Sequence, residues 1–510
     1  MQGTNTQAQD NSSPLLHKSS VSITLPSYSI KAGKENIVAR VATITRRPSS
    51  RVLNWYIPTD IIAMVMGFFA AWAMASIVNH MLMGRAVADV VHYAPRRMTQ
   101  FGLIAAGVLV WFQHTSHYRM RMPFWAEAKQ IVTAMGFAMM LDGFVEFAVK
   151  EDFSRLWLIS GWAVAALFMI ALRSILRAQL RKRHLFQIPT LLIGSGETAQ
   201  HTREALKTEP DLGYEIIAQV KDLPSTFMQA GKSWEKLYAL YNVQHIIIAL
   251  DGHELTRAER PLAQLARESL PFSVSPALRH MPVHGMVPQY FFNHDVMLMT
   301  QNSGLQHPLR QSMKRAMDII VSATALIVLS PIMLAVAWMT RRDGGPALYG
   351  HSRLGRNNTS FACLKFRSMV INGDEVLKEY LASNASARAE WASTRKLQND
   401  PRVTKIGKFL RKSSLDELPQ LLNVLRGEMS LVGPRPIVTA EVSKYEGDIA
   451  HYYRVRPGIT GLWQVSGRND VTYGQRVHMD SWYVRNWSLW HDIAIMFKTI
   501  PALLKRSGAY

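Results

Sequence analysis

Apolar residues crowd the first third of the chain into four runs, near 58–81, 101–113, 126–149 and 156–178. A helix needs ~20 predominantly apolar residues to cross a bilayer, so residues 53–180 read as a four-helix transmembrane bundle. The second run is the shortest, because His114 and His117 cut it off. From 186 the pattern changes. Short β-branched runs at 189–193, 214–220, 244–251 and 271–274 alternate with helical stretches at 199–208, 234–241 and 262–269. That alternation predicts a small Rossmann-like parallel α/β domain over 186–298. A polar linker, 299–312, leads to a mainly α domain over 313–510. Residues 1–52 are polar, with no apolar run, and read as a disordered cytoplasmic tail.

One more apolar run, 316–340, is long enough to span but carries Lys314 and Arg315 before it and Arg341 and Arg342 after it. A crossing helix would place one pair on the wrong side. Ser330-Pro331 sits in its middle, where proline removes a backbone donor. Both facts predict a re-entrant membrane hairpin over 316–340, turning at Ser330 and Pro331, with Ser330 covering the carbonyls freed near Ile327 and Val328. In the bundle, the clusters at Arg46, Arg47 and Arg51, at Arg119 and Arg121, and at Arg177–Arg183 face Glu151 and Asp152 across the runs. This puts both bundle ends in the cytoplasm. Arg85, Arg96 and Arg97 count against that topology. Asp142 and Glu146 are costly inside the third run and are expected to line a helix interface.

Charge narrows the partners. The chain has 58 Lys+Arg against 37 Asp+Glu, a formal +21, which suits phospholipid head groups, nucleotides or phosphates. So many apolar runs argue against nucleic acid. The only cysteine, Cys363, excludes a disulfide framework and a thiolate metal cluster.

The candidate chemistry lies late in the chain. Asp416 and Glu417 precede a short apolar helix that Gly427 should end, followed by a rigid Gly433-Pro434-Arg435-Pro436 turn. Two readings are open: acidic residues that merely begin a helix, or a pair in which one carboxylate attacks phosphorus and the other holds a divalent cation. At a helix start both are expected to stay ionised. Around them Lys365, Arg367, Arg411, Arg435 and Arg456 sit in Gly/Pro-rich turns, an arrangement suited to fixed phosphate contacts. Trp482, Tyr483, Trp487 and Trp490 predict a membrane-interface stretch. Earlier, Gly194-Ser195-Gly196-Glu197-Thr198-Ala199 fits G-x-G-x-x-G/A after a strand. It is either a pyrophosphate site or tight strand–helix packing.

Residues from about 311 onward resemble the bacterial sugar transferases, the polyprenyl-phosphate hexose-1-phosphate transferases. The resemblance rests on Lys314-Arg315-x-x-Asp318, the Ser330-Pro331 break, Lys365-Phe366-Arg367-Ser368-Met369, Leu415-Asp416-Glu417-Leu418-Pro419-Gln420, Gly433-Pro434-Arg435-Pro436 and Arg456-Pro457-Gly458-Ile459-Thr460-Gly461. Four leading spans and an α/β domain are similar to the family's long form. His351 departs from it, where glutamine is usual. The resemblance implies a UDP-hexose, with glucose preferred, and undecaprenyl phosphate as substrates, with Asp416 as nucleophile and Glu417 holding Mg²⁺. It further implies release of UMP, the priming step of exopolysaccharide synthesis, and the bacterial inner membrane with the catalytic domain on its cytoplasmic face. Residues 1–298 would serve stability, regulation or a homodimer. The competing expectation is a non-catalytic membrane scaffold of polysaccharide assembly.

Overall fold

The computed structural model describes residues 52–83, 94–150 and 155–504, apart from 266, 269, 279–280, 282, 284–285, 292–296, 302–306, 343, 395–396, 398 and 467–470. The expected tail, except Val52, and the acidic turn at Glu151 and Asp152 lie outside the described residues. The rest fall into two compact units, one of residues up to 122 with 135–277, the other of 123–134 with 278 onward.

All four early apolar runs are helical: α1 (Tyr56–Met83), α2 (Ala94–His114), α3 (Phe124–Val149) and α4 (Arg155–Lys182). Of these, α1, α3 and α4 are long and apolar enough to cross a membrane, whereas α2 is not. Its first turn spends Arg96 and Arg97 on polar positions. Arg97, which counted against the topology, is itself buried: it pairs with Asp142 at 3.2 Å and with Glu146. Gln100 and Trp162 also donate to the Asp142 carboxylate, at 2.6 and 2.9 Å. The two acids of the third run thus line a helix interface, paired with one of the three arginines that looked misplaced. A second buried pair joins α1 to α4, where Arg173 Nε donates to Asp60 at 2.8 Å and the Tyr118 hydroxyl does the same at 2.8 Å.

The α/β part has β1 (Ile188–Ile193), α5 (Glu197–Thr208), β2 (Tyr214–Val220), α6 (Leu223–Gln229), α7 (Trp234–Tyr241), β3 (His245–Ile248), α8 (Gly252–Leu265) and β4 (Phe272–Val274). The four strands form one parallel sheet in the order β2-β1-β3-β4. Alternate residues of β1 and β3 fill opposite faces: Leu191, Ile193, Ile246 and Ile248 on one, Leu192 and Ile247 on the other. Both faces are therefore covered, as a parallel sheet requires.

The turn after β1 resolves the question left by its glycines. Gly194 has φ +134°, and a Cβ there would stand 2.1 Å from the Ala249 carbonyl oxygen. The anion at this turn comes from the chain itself. Glu254 accepts from Ser195 N and Asp251 N, both at 2.9 Å, and also from the Ser195 hydroxyl. These bonds hold its carboxyl below the usual range against the opposing effect of burial.

The second unit begins with an antiparallel pair, β5 (Met286–Tyr290) and β6 (Met297–Gln301), and then α9 (Pro308–Arg341). The expected linker thus starts as strand, and the helix begins within it. The expected turn at Ser330-Pro331 does not interrupt the helical assignment, which continues on both sides of Pro331. The reason is local. The Ser330 hydroxyl donates to the Ile327 carbonyl at 2.7 Å, the acceptor that Pro331 cannot reach.

One stripe of α9 docks along the rest of the second unit at both ends. Near its start, Lys314 Nζ meets Asp492 at 2.6 Å and the Val432 carbonyl at 3.0 Å. Arg315 takes the carbonyls of Val424 and Leu425, and Asp318 accepts from Leu431 N and the Ser430 hydroxyl, both at 3.1 Å. Near its end, Val336 packs with Phe366 and Leu410, and Arg367 donates to the Thr340 carbonyl at 3.0 Å. The opposite face, with Ile320, Ile327, Val328, Leu334 and Trp338, is exposed and apolar.

Beyond α9 come the hairpin β7 (Leu348–Leu354) and β8 (Ser360–Phe366), α10 (Gly373–Ser383), α11 (Ala385–Thr394), α12 (Lys405–Ser413) and α13 (Gln420–Arg426). They are followed by β9 (Ser430–Val432), α14 (Ile449–Tyr453), β10 (Gly458–Thr460), α15 (Leu462–Ser466), α16 (Tyr473–Arg485) and α17 (Leu489–Leu504). Of the late aromatics, Trp482 and Trp490 are half-buried, and the other two belong to this core. Tyr483 and Trp487 are buried, and both hydrogen-bond Asp492.

Candidate active site

Asp416 and Glu417 lie on a single 3₁₀ turn, Leu415–Glu417, wedged between α12 and α13. Ser414 ends α12 in a left-handed conformation (φ 57°), which reverses the chain and prevents it from capping the next helix. Gly427 closes α13 as the sequence predicts. Arg315 and Arg456 then take the carbonyls left open there, with Arg456 Nε at 2.7 Å from the Gly427 oxygen. Two cations at a helix C-terminus oppose the negative end of its dipole.

Asn423 fixes this helix to the strand beside it. It is fully buried, accepts from Leu364 N at 3.0 Å and donates to the Ala362 carbonyl at 2.8 Å and to Glu428 at 2.6 Å. The next strand residue, Lys365, thereby reaches Glu417, with Nζ–Oε1 at 2.6 Å. Asn423→Ala would strand the Leu364 amide and the Ala362 carbonyl. An expected loss of about 2–4 kcal/mol follows, measurable as a lower Tm, with kcat falling as the Lys365–Glu417 geometry loosens.

Asp416 corrects one expectation. Its side chain is only 9% exposed, and burial raises its carboxyl above the usual range. Lys365 opposes that shift, and the neighbouring Glu417 adds to it. Position at a helix start would have kept it low. Desolvation wins because the turn is packed between two helices.

The pair opens into a cleft of about 870 Å³. Seven Lys or Arg side chains line it against three carboxylates, including Lys365, Arg411, Arg435, Asp416 and Glu417. Arg411 Nε donates to the Ser368 hydroxyl at 2.9 Å. Arg435 is placed by two interlocked turns: Gly433 N donates to Thr460 O, Gly458 N donates to Pro434 O, and a Cβ on Gly458 would come within 2.1 Å of Gly433 N. The motifs around Gly433 and Gly458 are therefore one structure.

The other two expected phosphate-binding arginines have structural partners. Arg367 reaches the cleft wall, but its guanidinium donates to the carbonyls of Thr340, Pro346 and Met369. Arg456 is absent from the cleft lining. Charge is visible in a sequence, whereas a carbonyl partner is not. Conversely, Trp463 and Arg476 line the cleft unforeseen, the Arg476 guanidinium 4.7 Å from the Trp463 ring centre.

Among the described residues, no group of three or more His, Cys, Asp or Glu gathers as a metal site. Mg²⁺ commonly takes one or two carboxylates plus substrate phosphates, and Glu417, partly exposed in the cleft beside Asp416, fits such a shared site.

Residues 309–506 match the bacterial sugar transferases. The undecaprenyl-phosphate galactose phosphotransferase of Salmonella typhimurium is 41% identical over 422 residues, 81% of this chain and 89% of its own length. This chain belongs to the bacterial sugar transferase family. A more distant relative, the UDP-glucose:undecaprenyl-phosphate glucose-1-phosphate transferase of Escherichia coli, is 30% identical over 71% of this chain and 79% of its own. The exopolysaccharide production protein ExoY of Sinorhizobium fredii is 54% identical over 41% of this chain, yet over 93% of its own length. Residues 112–270 match a CoA-binding domain. The turn after β1 does not fit the anionic end of such a cofactor. Glu254 already occupies its amide, and a Cβ at Gly196 would lie 1.7 Å from the Asp251 carboxylate.

Proposed function

We propose that this sugar transferase moves a hexose 1-phosphate from a UDP-hexose to undecaprenyl phosphate, giving undecaprenyl-diphosphate-hexose and UMP, to prime exopolysaccharide synthesis. The observation that supports it best is Asp416, buried beside the Lys365–Glu417 pair in a cationic cleft. A carboxylate oxygen of Asp416 attacks the phosphorus that bears the sugar. The bond from that phosphorus to the bridging oxygen breaks, UMP leaves, and the phosphosugar stays on the carboxylate. A phosphate oxygen of the lipid then attacks the same phosphorus, and its bond to Asp416 breaks. Both nucleophiles act as anions, so no base is needed. Two displacements avoid bringing two polyanions together in one step. Lys365, Arg411 and Arg435 offset the charge that develops. Mg²⁺ bound at Glu417 would neutralise the diphosphate.

Both ends of α9 dock on the catalytic part, which supports a re-entrant helix that enters and leaves the bilayer on one face, the cytoplasmic face of the inner membrane. The exposed apolar side of α9 then faces lipid.

For the sugar, the galactose-named relative is 41% identical and the glucose-named one 30%. A second glucose-named relative, from Caulobacter vibrioides, is 39% identical over 39% of this chain, so UDP-galactose stands beside the glucose that the resemblance implied as a candidate donor. The test is transfer of radiolabel from each UDP-hexose to undecaprenyl phosphate in purified membranes. Label in lipid with stoichiometric UMP supports the reading, and UDP release or no lipid product overturns it.

A further inference from the structure

A second, smaller cavity, about 330 Å³, lies at the C-terminal end of α9. Met339 of α9, Arg342 just past its end, Arg367 and Met369 beyond β8, and Lys405 and Ile406 of α12 line it. We propose that this cavity is the entry subsite for the phosphate end of the polyprenyl acceptor, a phosphomonoester carried on a lipid tail. The inference rests on the two-step reading above and assigns its second substrate a place.

Three observations carry it. The lining is amphiphilic, with three cations set among three apolar side chains, and among the described residues no carboxylate lines it. A phosphate joined to an isoprenoid chain matches both halves. Location is the second observation. The exposed apolar face of α9 leads to this end, where Trp338 is 62% exposed and the Arg342 guanidinium lies 4.0 Å from its ring centre. A ligand arriving through lipid would meet this cavity before the water-facing cleft.

The third observation is continuity. Arg367 and Met369 line both cavities. The segment between them is pinned from both sides, by Thr404 N donating to the Ser368 carbonyl at 3.1 Å and by Arg411 on the Ser368 hydroxyl. One chain segment thus separates the lipid side from Asp416. The start of α12 adds the positive end of its dipole.

The test uses the full chain in phosphatidylcholine nanodiscs and separates the two half-reactions. UMP exchange into UDP-hexose, without acceptor, reads the first. Transfer at varied undecaprenyl phosphate reads the second. Lys405→Ala and Arg342→Ala, both at exposed positions, should each raise the acceptor KM about tenfold or more, the loss of one charge-assisted contact. Exchange should stay within about twofold, and Lys405→Arg should restore most of the acceptor affinity. An unchanged acceptor KM, or equal losses in both half-reactions, would overturn the assignment. So would a phospholipid occupant, seen as phosphatidylglycerol inhibiting the wild type but not the variants while their acceptor KM stays normal. Absence of exchange in the wild type would instead remove the covalent intermediate, and the variants' acceptor KM would still decide the cavity.

Discussion

Replacing Asp416 with Asn should leave a folded protein that releases no UMP and carries no phosphosugar on the peptide containing position 416. The amide is nearly isosteric but cannot form an acyl phosphate. Wild type incubated with UDP-hexose alone should show that adduct by mass spectrometry. Burial also sets a stability expectation. The Asp416 carboxyl holds its proton to higher pH in the fold than in the unfolded chain. Between those two values the folded state binds more protons, so stability falls as pH rises through the window. Asn removes that penalty, and at neutral pH the variant's Tm should equal or exceed that of the wild type. The wild-type rate of adduct formation should fall as pH drops through the raised value, because the protonated carboxyl is a poor nucleophile. A variant that still turns over substantially would end the nucleophile assignment. One that is inactive but markedly less stable would shift the role to structure.

What could be read in advance divides by range. Local patterns were legible: alternation placed β2 at Tyr214–Val220, where it lies, and Gly427 marked the end of α13. Pairings across elements were not. Arg97 looked like a topological fault because Asp142, its partner, is on another helix. Lys314, Arg315 and Asp318 formed a recognisable motif, but only the fold shows that each docks α9 to a different element. Asp416 was expected to have a low carboxyl pKa from its place at a helix start, whereas burial between two helices raises it above the usual range. The glycines after β1 fitted a phosphate turn, while Glu254, which occupies it, comes from α8 after β3. Each miss is tertiary.

Cysteines placed at Leu309 and Arg341 should both react with an impermeant maleimide from the same side of the membrane, and neither from the other. Both positions are exposed, Leu309 at 63%. The native background is low, since Cys363 is buried and burial raises its thiol. The expectation follows from the cost of the alternative. If α9 crossed, one of its docked ends would have to leave the catalytic part. Detaching the start would leave Asp492 without Lys314 and the last carbonyls of α13 without Arg315. Detaching the end would expose Phe366 and Leu410 to water, about 1.5–3 kcal/mol each, and leave Arg367 without the Thr340 carbonyl. Hydrophobic length alone favours crossing, because α9 has 34 residues and a bilayer core needs ~20. The basic residues at both ends oppose it. The docking contacts add to that opposition, so a single topology is expected rather than a mixture. Reaction of the Arg341 cysteine only from the face opposite to Leu309 would overturn the re-entrant helix. It would also place the proposed lipid entry on the wrong side of Asp416.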